Sequence, residues 1–133
     1  MKSLVVYCHP CPDSFSAAMK QTVMSALTTC GHEVRLIDLY DEGFDPVMSA
    51  PERRRYHDAG INEQPVREHI AAICWCDTLV FVYPTWWYGL PAMLKGWLDR
   101  VWVPHVTFAM PTATSSIRCD HLRRALECFQ THW

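Results

Sequence analysis

The sequence predicts an α/β domain built on an open, doubly wound parallel sheet with helices on both faces, a three-layer αβα arrangement. Two observations carry this. Ser3–Tyr7 (SLVVY) and Thr78–Tyr83 (TLVFVY) are short, unbroken apolar runs. Such runs mark strands buried on both faces, as in parallel sheets. Each run is followed by a turn-rich loop and then by apolar residues at helical spacing, and strands alternating with helices mean a parallel sheet covered on both sides.

The elements follow in order. Ser3–Tyr7 is the first strand, ended by His9-Pro10. After the turn CHPCPDS, the residues Phe15, Ala18, Met19, Val23, Ala26, Leu27 and Cys30 recur at helical spacing, with Asp13 or Ser14 as N-cap and Gly31 at the C′ position. Glu33–Leu39 (EVRLIDL) reads as a second strand. This β-α-β unit should have parallel strands and a right-handed crossover.

Residues 40–64 are polar and are broken by Pro46, Pro51 and Gly60. The segment is too long for an ordinary connection, and such segments are often functional. Arg53–Arg55 within it reads better as a solvated helical face than as a basic patch. Pro65 suits a first helical position, and Val66, Ile70, Ile73 and Cys74 mark a second helix. Thr78–Tyr83 is the third strand. Gly89-Leu90-Pro91 opens a third helix with Leu94, Trp97, Leu98, Val101 and Trp102 on its apolar side. In the tail, 105–118 reads as loop and His121–Phe129 as helix by propensity. The apolar third strand nevertheless demands a neighbour on each edge. Topology therefore asks for a fourth strand where propensity favours helix, and the sequence leaves both open.

Composition narrows the function. The 133 residues suffice for one domain, taken here as 1–133. Twelve basic against 14 acidic residues give a formal charge of −2, which excludes electrostatic attraction as the main mode of binding nucleic acid or an acidic membrane. The longest uncharged run, Thr78–Leu94, contains Pro84, Gly89 and Pro91, so it reads as a strand plus a helix start rather than a membrane span. Seven cysteines, an odd count with no signal segment, suggest reduced thiols and a cytoplasmic location.

Ligands of open α/β sheets bind beyond the carboxyl ends of the strands, which singles out two loops. The first, His9–Ser16, ends at a helix N-terminus, where backbone N–H groups and the helix dipole suit an anion. Ser14, Ser16 and His9 add donors. Neither GxGxxG nor GxxxxGK[ST] is present, and a capped helix start without a ligand is the competing reading. The second loop, Pro84–Gly89 (PTWWYG), places Trp86, Trp87 and Tyr88 where an ordinary loop would be polar. It suits a flat aromatic ligand, against a core plug or a dimer contact. Cys8 and Cys11 form a CxxC that could serve as a thiol redox pair, but Pro12-Asp13 extends the turn before the helix begins. Cys74 and Cys76 are two apart without further ligands, so they read as buried structural thiols rather than a zinc site.

CHPCPDSFSAAM and DTLVFVYPTWWYGLPAMLKGWLDRVW, with LYDEGFDPVMSAPERRRYHD between them, resemble the flavodoxin-like NAD(P)H:quinone oxidoreductase family over residues 3–110. The resemblance implies strand order beginning 2-1-3, a bound flavin (FAD or FMN, with a lean to FAD), NADH or NADPH as co-substrate, a quinone-like acceptor and a homodimer. Carried over by position, His9, Ser14, Phe15, Ser16 and Ala18 would hold the flavin's phosphate side. Pro84, Thr85, Trp86, Trp87, Tyr88 and Gly89 would border its ring, and the Thr85–Tyr88 amides would steady charge there. The family continues through a fourth strand, a Thr-Thr-Gly-Gly-like loop and further elements carrying a catalytic Tyr and His. Here the chain reads ALECFQTHW, with no glycine after Gly96. The expectation is a flavodoxin-like domain of three or four strands, short at its carboxyl end. An active oxidoreductase, an inactive truncated homologue and a non-catalytic interaction subunit all accommodate it.

Overall fold

The structure, a computed structural model, describes residues 1–109 and 126–131. The first half alternates β1 (Lys2–Tyr7), α1 (Phe15–Thr29), β2 (Glu33–Asp38) and the short α2 (Ala50–Arg54). The second half runs through α3 (Arg67–Trp75), β3 (Thr78–Pro84), α4 (Ala92–Val101) and β4 (Leu126–Thr131). The four strands form one sheet in the order β2-β1-β3-β4, and each adjacent pair is parallel.

β4 answers the question left open in the tail. Leu126 pairs with Leu79 and Thr131 with Pro84, so the part of the helix-prone stretch that is described, 126–129, is strand. The demand of β3 for a neighbour outweighs a weak local helix preference. The rest of the tail, 110–125 and 132–133, lies outside the described residues.

Alternation along the strands divides the core into two layers. Leu4, Val6, Cys8, Leu79, Phe81 and Tyr83 face α3 and α4, packing on Ile70, Ile73, Leu94, Trp97 and Val101. Val5, Tyr7, Val80 and Val82 face α1, packing on Ala17, Met19, Val23, Met24 and Leu27. All seven residues of β3 are buried. β2 is different: Glu33, Arg35 and Leu36 are exposed, and the Arg35 guanidinium lies 4.0 Å from the Trp75 ring centroid. Charged side chains on an outer strand discourage pairing with another chain.

Caps fall where their residue types require. Ser14 caps α1 by accepting from the Ala17 N–H, and Gly31 takes the left-handed conformation just past its end (φ +78°). Ser49 and Glu52 form a reciprocal capping box on α2, and Arg53–Arg55 are exposed beyond it, as a solvated face. Pro65 sits in a one-turn 3₁₀ helix, Gln64–Val66, leading into α3. Cys76 is buried, but Cys74 is exposed, which corrects the reading of both as buried thiols. Cys74 lies one residue beyond the buried Ile73, and a single step of about 100° carries it off the apolar stripe.

The long connection 40–64 is strapped across α4. Arg100 bonds Glu52 through Nε at 2.8 Å and Nη2 at 2.7 Å, and Nη1 reaches the Asp45 carbonyl. Tyr56 donates its hydroxyl to the Trp102 carbonyl. Asn62 Nδ2 donates to the carbonyls of Tyr56 (3.1 Å) and Pro104 (3.0 Å). The strap approaches so closely that a Cβ at Gly96 would stand 2.3 Å from the Pro46 oxygen. Beneath it, His69 Nδ1 accepts from the Trp97 indole N–H at 3.2 Å, and its ring meets Phe44 edge-on at 4.9 Å. Burial lowers the His69 pKa, with the Glu68 carboxylate opposing and Arg100 assisting. The ring is therefore neutral near pH 7, and its 3.8 Å approach to Glu42 is a dipolar contact rather than an ion pair.

Two outcomes follow. Gly96→Ala, which stabilises an ordinary helix, should instead cost about 1–3 kcal/mol by overpacking, read as a lowered denaturant midpoint. His69 has a lower pKa folded than unfolded, so the unfolded chain binds the extra proton first. Its contribution is complete above pH ~6.5 and is lost as pH falls through the folded value. His69→Gln should flatten that part of the stability–pH curve.

Candidate functional site

Parallel pairing of β1 and β3 brings their following loops together. The pairing extends one residue past β1, where the Cys8 N–H donates to the Val82 carbonyl at 3.0 Å. The rings of His9 and Trp86, one from each loop, then lie 6.0 Å apart at 60°. Of the two loops named from sequence, the structure thus makes one locus.

On the first loop, the Cys11 N–H donates to His9 Nδ1 at 3.0 Å. The same nitrogen lies 3.3 Å from the Cys11 carbonyl, so Nδ1 is held by the turn and Nε2 is the ring nitrogen left to meet a ligand. The Ser14 oxygen is engaged as N-cap to the Ala17 N–H at 3.1 Å, while its own O–H remains a donor. Ser16 is fully buried and Phe15 is 60% exposed. Ala18 is exposed on α1 and, with Pro12, Asp13 and Ser14, lines a recess of about 430 Å³.

The second loop is a two-residue hairpin. Trp86 and Gly89 exchange backbone hydrogen bonds of 3.2 and 3.1 Å, and Trp87 and Tyr88 between them both have positive φ, +50° and +59°. That is the backbone of a type I′ turn, which favours Asn-Gly. Two aromatic residues hold it at an order-of-magnitude cost of ~1–3 kcal/mol each. Their side chains are 96% and 99% exposed, and Trp86 is 39% exposed. The Trp86 N–H is committed to Gly89, so it is not among the amides available to steady a ligand's charge. Pro84 is buried at the end of β3. The hydroxyl of the half-buried Thr85 is enclosed without a hydrogen-bond partner. A buried hydroxyl left unmatched beside exposed aromatic faces fits a ligand with a flat ring and a polar edge.

The CxxC does not fit thiol redox chemistry. Cys8 is fully buried, and burial pushes its thiol up to about 12, the Leu94 backbone and Asp38 being lesser influences. A redox cysteine needs the opposite shift. α1 begins at Phe15, four residues past Cys11, so the helix dipole acts elsewhere.

The fold and the paired loops define a class. Residues 1–124 match the family model described as flavodoxin-like fold, and the chain belongs to that family. It is 35% identical over 99 residues to YcaK, an uncharacterized NAD(P)H oxidoreductase of Escherichia coli (strain K12), covering 74% of this chain and 50% of that one. It is 31% identical over 126 residues to ribosyldihydronicotinamide dehydrogenase [quinone] of Rattus norvegicus, covering 83% and 54%. The solved NAD(P)H:quinone oxidoreductase from Methanothermobacter marburgensis superposes with a TM-score of 0.76 at 34% identity, covering 81% of this chain and 56% of that chain. The chain spans about half the length of the curated relatives it matches. Among the described residues no helix is long and apolar enough to cross a membrane.

The hairpin makes a prediction. Replacing Trp87-Tyr88 by Asn-Gly should raise the melting temperature by at least several degrees, through relief of ~1–2 kcal/mol of left-handed strain at each position. A fall in melting temperature would mean that the aromatic pair stabilises the fold rather than straining it.

Proposed function

We propose that the protein is a flavin-dependent NAD(P)H oxidoreductase that moves a hydride from NADH or NADPH, by way of bound FAD or FMN, to a quinone or similar acceptor. The observation that carries this reading is the convergence of an anion-binding turn and a strained aromatic hairpin at adjacent strand ends, joined at His9 and Trp86. The relatives named for NAD(P)H and quinone support it.

Each loop has its part. His9 Nε2, the Ser14 hydroxyl and the first backbone N–H groups of α1, at Phe15 and Ser16, would hold the phosphate, with Ala18, whose own N–H bonds the Ser14 carbonyl, lining the recess beside it. Pro84, Thr85, Trp86, Trp87, Tyr88 and Gly89 would border the ring. The unmatched Thr85 hydroxyl would take a polar edge atom, and the Trp87 and Tyr88 faces would exclude water from the ring. When bound, the flavin supplies the hydride chemistry, and the protein supplies position and electrostatics. That division leaves no need for a side-chain nucleophile, and a single slot used in turn by donor and acceptor gives ping-pong kinetics. The exposed tip aromatics are also a surface that a homodimer would cover.

The test is anaerobic. Protein loaded with FAD or FMN should lose its visible flavin absorbance on adding NADH or NADPH and regain it on adding a quinone. Failure to retain either flavin would favour a non-catalytic interaction subunit. Trp87→Ala should weaken flavin binding about five- to tenfold, on the scale of an aromatic stacking pair at ~0.5–1.5 kcal/mol. Unchanged affinity would remove the hairpin from the site.

A further inference from the structure

A recess opens in the strap, and none of its lining comes from the two loops. It encloses about 240 Å³, and Pro51, Glu52, Arg55, Ile61, Asn62 and Pro65 line it. One water takes up roughly 30 Å³, so the space exceeds what a single bridging water fills.

One atom in this wall lacks a partner. Asn62 is 8% exposed, and its Oδ1 is buried without a hydrogen bond. Turning the amide over does not mend this. Nδ2 donates to the carbonyls of Tyr56 and Pro104, and exchanging oxygen for nitrogen would set an acceptor against two acceptors. The missing partner is therefore a donor. Buried polar atoms are nearly always matched, so an orphaned acceptor in the wall of a recess points to an N–H or O–H from outside the chain.

The rest of the lining narrows that donor. The Glu52 carboxylate is engaged, by Arg100 at 2.8 and 2.7 Å and by the Ser49 N–H at 2.9 Å. Arg55 is exposed and has no ion-pair partner among the described residues. Its guanidinium is thus the unmatched charge of the lining, and a guanidinium suits a carboxylate. Ile61, exposed on the surface, adds an apolar wall together with Pro51 and Pro65. An occupant with a carboxylate, a neighbouring donor and an aliphatic group meets all three demands. The nearby Glu52 carboxylate favours an ammonium over a hydroxyl as that donor.

We propose that this recess binds a free aliphatic α-amino acid. Its ammonium donates to Asn62 Oδ1, its carboxylate pairs with Arg55, and its side chain lies against Ile61, Pro51 and Pro65. The site stands apart from the flavin locus and does not depend on the oxidoreductase reading. It lies in the segment that ties down α4, so an occupant stabilises the folded chain by mass action.

The probe is L-leucine, titrated into the isotope-labelled full chain and followed by two-dimensional amide NMR. Saturable shifts should fall on the strap amides and on the Asn62 side-chain NH₂. 4-Methylpentanoate lacks the ammonium and leucinamide lacks the carboxylate, and each should bind about tenfold more weakly, as for one lost charge-assisted hydrogen bond. Arg55→Gln, whose wild-type side chain makes no ion pair in the fold, should weaken leucine by a similar factor while leaving leucinamide and flavin affinity unchanged. Absence of saturable shifts, meaning that the recess holds water only, would overturn the proposal. So would equal binding of leucine and 4-methylpentanoate, or leucine binding indifferent to Arg55→Gln.

Discussion

The parallel pairing of β1 with β3 is the constraint on which the candidate site depends. These strands are separated by the whole of α1, β2, the long connection and α3, yet their registered ends place His9 beside Trp86. Neither loop makes a site alone. A capped helix start is common, and an aromatic hairpin without a neighbour is only an exposed apolar patch. Brought to adjacent strand ends, they offer an anion donor and flat aromatic faces in one place, which is the arrangement the proposed flavin needs.

The rest of the architecture serves to hold that pairing rigid. β3 is buried along its full length between α1 on one side and α3 and α4 on the other. α4 follows directly from the hairpin, so anything that fixes α4 also fixes the base of the loop. The strap 40–64 does this through the Glu52–Arg100 ion pair, the Tyr56 and Asn62 hydrogen bonds and the contact at Gly96. A hairpin with two aromatic residues in left-handed conformation persists only where its surroundings over-determine it. The strap and the buried strand are those surroundings, and the strain they sustain presents Trp87 and Tyr88 outward rather than into the core.

Much of this was legible in the sequence because each strand and helix carries its own period. The apolar runs at Ser3–Tyr7 and Thr78–Tyr83, the Ser14 cap and the Gly31 terminus are local signals with local causes, and the structure has them at those positions. What eluded the sequence is non-local. Nothing in the run of residues says that Glu52 meets Arg100, that Pro46 closes on Gly96, or that Lys20 joins Asp38 beside Tyr7. The fourth strand was ambiguous because its residues favour helix while only the sheet as a whole favours strand. Cys74 was misjudged because a residue one step off a helical face looks the same as one on it.

The central claim is that the turn after β1 and the hairpin after β3 act as one binding site. A double-mutant cycle on flavin affinity, using His9→Ala, Trp86→Ala and the double variant, tests it most directly. Two parts of one site should be coupled by at least ~0.5 kcal/mol, so the double variant's loss should differ from the sum of the single losses by at least that amount. Strictly additive losses, or no loss from either single variant, would contradict the account.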